Sequence, residues 1–160
     1  HHQSRAPQVA VPPPRTAMAV TTDVGDANNI HPTRKRPVGE RLALAARALS
    51  YGETLEYSGP VFQSMKLEND RAMISFTHTG KGLMAKDGPL KGFTLAGTDG
   101  KFVPARAEIE GANVIVIADS IPKPAAVRYA WANVPDANLF NLEGLPAAPF
   151  RTDQPVGASK

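Results

Sequence analysis

The chain has 160 residues, 42% hydrophobic and 21% charged, with a net charge of +3 and no cysteine. That length suits one domain with a real core, since domains commonly run about 100 to 200 residues, and the balance is that of a soluble globular protein. Without cysteine there is no disulfide scaffold, thiolate zinc site or thiol nucleophile; scattered basic residues exclude a nucleic-acid platform; no run reaches the ~18 apolar residues of a membrane span.

Residues 1–16 are rich in Pro, Gln and Arg and read as an irregular or disordered lead-in, with Pro12-Pro13-Pro14 favouring an extended polyproline conformation. The stretch lacks the basic start and apolar run of a signal peptide. His1 and His2 have no further ligand beside them and do not make a metal site. "MAVTTD" (18–23) is a strand-like run entering a polar loop that extends to about residue 32. Such strand-to-loop junctions are where open α/β sheets place ligand groups. A helix follows from near Pro37 to Leu49, because Val38, Leu42, Ala45 and Leu49 recur on one helical face. Pro37 is tolerated in a first turn, Arg34-Lys35-Arg36 reads as a solvated helix entrance, and Ser50-Tyr51-Gly52 ends the helix. The Ala-rich face predicts close packing on something flat, most simply a sheet.

From residue 53 the pattern changes to short runs rich in β-branched and aromatic residues: 61–67, 72–78, 92–97, 102–111, 113–119 and 125–131. Asn69-Asp70, Asp99-Gly100 and Gly111-Ala112 separate them as turns, which reads as an antiparallel β-sandwich. Phe93 through Trp131 reads as a meander, with "TDG" and "EGAN" as hairpin turns and Pro104 confined to an edge or a bulge. The segment "ANVPDANLFNLEGLPAAPFRTD" has apolar anchors but much Pro and Asn, and reads as an ordered strap across a surface.

The fold class is therefore mainly β: an antiparallel sandwich preceded by a short strand-loop-helix. The organisation is a lead-in (1–16), a βα unit (17–52), a sandwich with its strap (53–153) and a tail (154–160). One strand and one helix cannot form a sheet-based core alone. The front unit either docks on the sandwich or completes a larger α/β domain.

The chemistry concentrates in "DVGDANNIHP", residues 23–32. A histidine acts as general base when a carboxylate holds one ring nitrogen and leaves the other to take a proton from a nucleophile. Its unperturbed pKa near neutrality suits that role. His31 is the candidate base, and Asp26 and Asp23 are the candidate orienting acids, with Pro32 restricting where the imidazole points. Without a nucleophile the same pattern describes a capping or surface histidine. Of the seven serines, none lies in a Gly-X-Ser-X-Gly or Gly-Asp-Ser setting, and Ser58-Gly59 is the nearest to a turn serine. There is no Gly-rich phosphate loop, no cofactor signature and no histidine-carboxylate spacing for a metal; His78 reads as structural. Trp131, Tyr129 and Phe140 would stack on sugars if exposed, and serve as core or strap anchors if buried.

Four blocks carry a resemblance. "TTDVGDANNIHPTRKRPVGERLALAARAL" resembles the closing segment of the catalytic domain of sialate O-acetylesterases, serine esterases of the SGNH-hydrolase superfamily. "FTHTGKGLMAKDG", "KGFTLAGTDGKFVPA" and "VRYAWANVPDANLFNLEGLPAAPFRTD" resemble the β-rich region that follows in the same proteins, so the likeness runs from Met18 to Asp153. It implies removal of O-acetyl groups from sialic acid or other acetylated sugars, through an acyl-enzyme on a serine. His31 would be the catalytic histidine. The superfamily's usual acid lies three residues earlier, where this chain has Asn28, so Asp26 (preferred) or Asp23 would serve, or a Ser–His dyad would work without an acid. The serine and the oxyanion-hole residues come from earlier blocks that have no counterpart here. The chain thus reads as a C-terminal portion, inactive alone, whose partner is the N-terminal esterase portion and whose substrate is an O-acetylated sugar. The resemblance also suggests a secreted or periplasmic protein. A stand-alone sandwich that binds carbohydrate or a partner protein is the alternative.

Overall fold

In Arg71–Thr77 every second residue is apolar, and in the computed structural model, which describes residues 15–153, those residues (Ala72, Ile74 and Phe76) are the buried ones. The polyproline run and the tail from residue 154 lie outside the described residues. The elements among the described residues, in chain order, are one helix, α1 (Arg36–Leu49), and ten strands: β1 (Val61–Glu68), β2 (Arg71–Thr77), β3 (Leu83–Ala85), β4 (Phe93–Ala96), β5 (Phe102–Pro104), β6 (Arg106–Glu110), β7 (Asn113–Ile117), β8 (Ala126–Tyr129), β9 (Leu139–Asn141) and β10 (Phe150–Arg151). Two four-stranded sheets, ordered β1-β2-β7-β6 and β10-β8-β4-β5, share one core; β3 and β9 form a small third sheet. All the pairings are antiparallel.

The expected turns carry the hairpins. Asn69 (φ 51°) opens the two-residue loop between β1 and β2, and Gly111 (φ 61°) opens that between β6 and β7. A left-handed first residue matches the twist of the flanking strands. Phe93 through Trp131 is not a meander, however. The hairpin β4–β5 lies in one sheet and β6–β7 in the other, so the chain changes sheets between Pro104 and Arg106. Pro104 closes the edge strand β5, as a residue without an N–H requires, and the Ala105 N–H goes to the Phe93 carbonyl. Crossing there lets each hairpin bury its apolar face against the other.

The segment read as a surface strap is core. Phe150, on β10, stacks on Phe62 of the opposite sheet at 4.8 Å between centroids and lies 5.9 Å from Tyr129. Leu139, Phe140, Ala147 and Phe150 are all buried. Proline and asparagine are accommodated because side chains replace the missing ladder bonds. Asn141 is fully buried: its amide donates to the Ser58 and His78 carbonyls and its oxygen accepts the Leu145 N–H. Asn138 donates to the Lys86 and Pro89 carbonyls and accepts the Lys91 N–H. The Tyr129 hydroxyl accepts the Leu139 N–H, and burial pushes its pKa up to about 12. Tyr129 and Phe140 are therefore core rings, while Trp131 remains 51% exposed.

The front unit differs from its expected form. The helix is present, but residues 18–23 form no strand, because no described strand lies beside them to pair with. Leu42, read as part of the buried face, is 56% exposed, and Arg41 is the helix's one buried residue. No strand packs extensively on α1. The joint to the sandwich is tight: Glu56 bonds the His78 ring at 2.7 Å, and a Cβ on Gly59 would fall 1.9 Å from the Pro146 carbonyl oxygen.

Candidate functional site

The polar loop between residue 20 and α1 is built by local hydrogen bonds. Asp26 Oδ1 accepts the Asn28 N–H at 2.9 Å, and Asn29 Oδ1 accepts the His31 N–H at 2.8 Å. Two such i, i+2 bonds are what Asp and Asn offer a turn, and they hold His31 out at the surface. The His31 imidazole has no partner among the described residues, and no hydrogen bond joins it to either aspartate.

The two candidate acids have different employment. Asp23 receives both Arg41 guanidinium nitrogens, at 2.6 and 2.7 Å, and Arg41 also donates to the Val20 carbonyl. Burial by itself would raise the Asp23 pKa, but the hydrogen bond and charge of Arg41 outweigh it and leave the carboxyl below its ordinary range. Asp23 is thus a structural anchor between the loop and α1. Asp26 is exposed, uses Oδ1 for the turn and leaves Oδ2 without a partner among the described residues. Asn28, at the position of the superfamily's usual acid, is exposed as well.

Beside this loop lies an open cleft of about 590 Å³, lined on one side by Thr22, Gly25 and Asp26 and on the other by Trp131, Asn133 and Val134. It lies where the front loop meets the stretch after β8. His31 does not line it. Arg151, itself ion-paired to Asp153, sets its guanidinium over the Trp131 ring at 5.4 Å from the centroid. An adjoining groove of about 370 Å³ shares Thr22 and Gly25 and carries Arg34, Lys86 and Lys91.

Glu56 holds the His78 ring and Tyr57 packs edge-on against it at 5.1 Å. Ser58 sits nearby, but its hydroxyl donates to the Gly59 carbonyl. No cluster of three or more His, Cys, Asp or Glu among the described residues has a metal-binding arrangement, and no helix among them is long and apolar enough to cross a membrane. Arg41 was missed as a functional-loop residue. Its signal was a charge on the helical face shared by Val38, Leu42, Ala45 and Leu49.

No family model matches the chain. The fold does match the crystal structure of a carbohydrate acetylesterase from Xanthomonas citri, with a TM-score of 0.80 and 49% identity over 82% of this chain and 31% of that one. The architecture is thus that of a β-rich module of a carbohydrate acetylesterase. Sialate O-acetylesterases from Homo sapiens and Pongo abelii are each 32% identical over 90% of this chain, and that from Mus musculus is 28% identical over 86%. The resemblance to sialate O-acetylesterases read from the four blocks is borne out. The chain spans under a third (31%) of the length of the human and orangutan relatives.

Proposed function

We propose that this chain is the C-terminal part of a carbohydrate O-acetylesterase and supplies its catalytic base, His31, from the loop before α1. The observation that carries this reading is an unengaged imidazole, displayed on a locally hydrogen-bonded loop, in a chain similar over 90% of its length to sialate O-acetylesterases. The nucleophilic serine comes from outside these 160 residues. It attacks the acetyl carbonyl while His31 takes its proton; His31 then gives that proton to the departing sugar hydroxyl. Water, activated by the same ring, releases acetate and regenerates the serine. Asp26 is the acid that orients the ring, because the Asp23 carboxylate is occupied by Arg41. In this reading residues 17–52 complete an α/β esterase domain, which accounts for a helix with no sheet beneath it, and residues 53–153 form the module behind it.

The test is a chimera in which residues 18–153 replace the matching segment of the Xanthomonas citri acetylesterase. It should hydrolyse acetyl esters, and His31→Ala should lower kcat by about 10³-fold or more. This chain alone should show no His31-dependent turnover. A chimera indifferent to His31→Ala would overturn the assignment. A folded but inert chimera that still binds glycan would favour the alternative, a sandwich that only binds.

A further inference from the structure

From the cleft between the front loop and the stretch after β8, we infer a binding subsite for a neutral pyranose sugar, with Trp131 as its platform and specificity-determining residue. The proposal rests on the esterase reading only in calling that sugar part of a substrate.

Four observations converge. The cleft, at about 590 Å³, falls in the ~300–1,000 Å³ range of small-ligand sites. Its wall is an indole that the fold leaves half-exposed, although the neighbouring Ala130 and Tyr129 are buried. The ring is preset: Arg151, which does not line the cleft, lies over it, and Asp153 holds both Arg151 and Arg128. An aromatic face fixed in this way suits the apolar C–H face of a pyranose. Around it, Thr21, Thr22 and Asn133 offer hydroxyl and amide groups of both donor and acceptor kind, and Asp26 adds an acceptor. These match the mixed donor–acceptor rim of a sugar.

Charge narrows the class. Asp26 is the one charged residue lining the cleft, and no cation lines it. The cations around it are engaged elsewhere: Arg151, over the Trp131 ring, with Asp153, and, in the adjoining groove, Lys91 with Asp136 at 2.6 Å, Arg34 with the Asp23 carbonyl and Lys86 over the Phe140 ring. A sugar carboxylate would meet Asp26 with no cation in the cleft lining to pair with, so the cleft favours neutral sugars over acidic ones. Asp26 also belongs to the loop that carries His31, so a sugar seated on Trp131 lies beside the proposed catalytic loop.

Trp131 is the single tryptophan of the chain, so its fluorescence reports the site directly. Titration of the full chain with neutral oligosaccharides of glucose, mannose or xylose should give a saturable change, with affinity on the order of millimolar. N-acetylneuraminic acid should give a weaker one. In ligand-observed NMR, Trp131→Ala should lose about tenfold or more in affinity, and Trp131→Phe should retain most of it. Absence of any response to neutral sugars, unchanged affinity in Trp131→Ala, or tighter binding of N-acetylneuraminic acid would overturn the proposal. Binding needs no hydrolysis, so an inert chimera with intact sugar binding would sink the catalytic reading alone, and an active chimera without it would sink this one alone.

Discussion

The front of the molecule and its sandwich are held by different physics. Behind residue 60, two sheets close over a shared apolar core in which Phe62, Phe93, Tyr129 and Phe150 touch one another. In front, a 14-residue helix buries one side chain, and that side chain is an arginine. Its bond to Asp23 fastens the loop to the helix but offers little of the apolar burial that stabilises a helix. A segment anchored by charge and backed by no sheet is suited to completing another surface. The sandwich closes over a core of its own.

The largest test of this contrast is Phe150→Ala. Deleting a ring that bridges both sheets should cost about 3–5 kcal/mol of global stability, read as a lower denaturation midpoint. A surface strap would lose almost nothing, so a small effect would break the account of the sandwich. Next, Asp23→Asn should cost about 3 kcal/mol, because it leaves Arg41 largely buried without its counter-charge. The loss should be local, seen as faster amide exchange in α1 with the strands still protected. Acid should mimic it with a definite sign. The Asp23 pKa is lowered in the folded state, so its contribution is present above the unfolded value of about 3.9 and is lost as pH falls through the folded value. Protection of the α1 amides, relative to their intrinsic exchange rate at each pH, should therefore fall below about pH 4 and stay level through neutrality. The smallest effect belongs to Leu42→Ser, which should change the stability of this chain by no more than about 0.5 kcal/mol. In the chimera the same change should cost more, if the exposed face of α1 is covered there.

Sequence reading and structure agree where the signal was local and periodic. Alternation placed β2, the left-handed Asn69 and Gly111 placed two hairpins, and Pro104 fell on an edge strand as its missing N–H demands. They part where a segment's neighbours decide its state. "MAVTTD" has strand composition but no partner strand, and β-structure without a partner leaves its backbone unpaired. The strap has loop composition, yet Asn138 and Asn141 satisfy the backbone around them and let Leu139 and Phe150 enter the core.

The same division holds for the site. His31, Asp26 and Asp23 were legible as a constellation, because residue type and spacing are properties of the chain. Which aspartate is free was not legible: Asp23 is claimed by Arg41, 18 residues away, and only the packing of α1 against its own loop brings them together. Nor did composition reveal that Trp131 would stay outside while Tyr129, two residues earlier, went in. Residue types and local periodicity by themselves determined β1, β2, β4, β7 and β8, the hairpin turns and the candidate base. Tertiary structure alone decided which polar groups were already spoken for and which ring was left facing a cleft, since both depend on contacts between segments far apart in the chain.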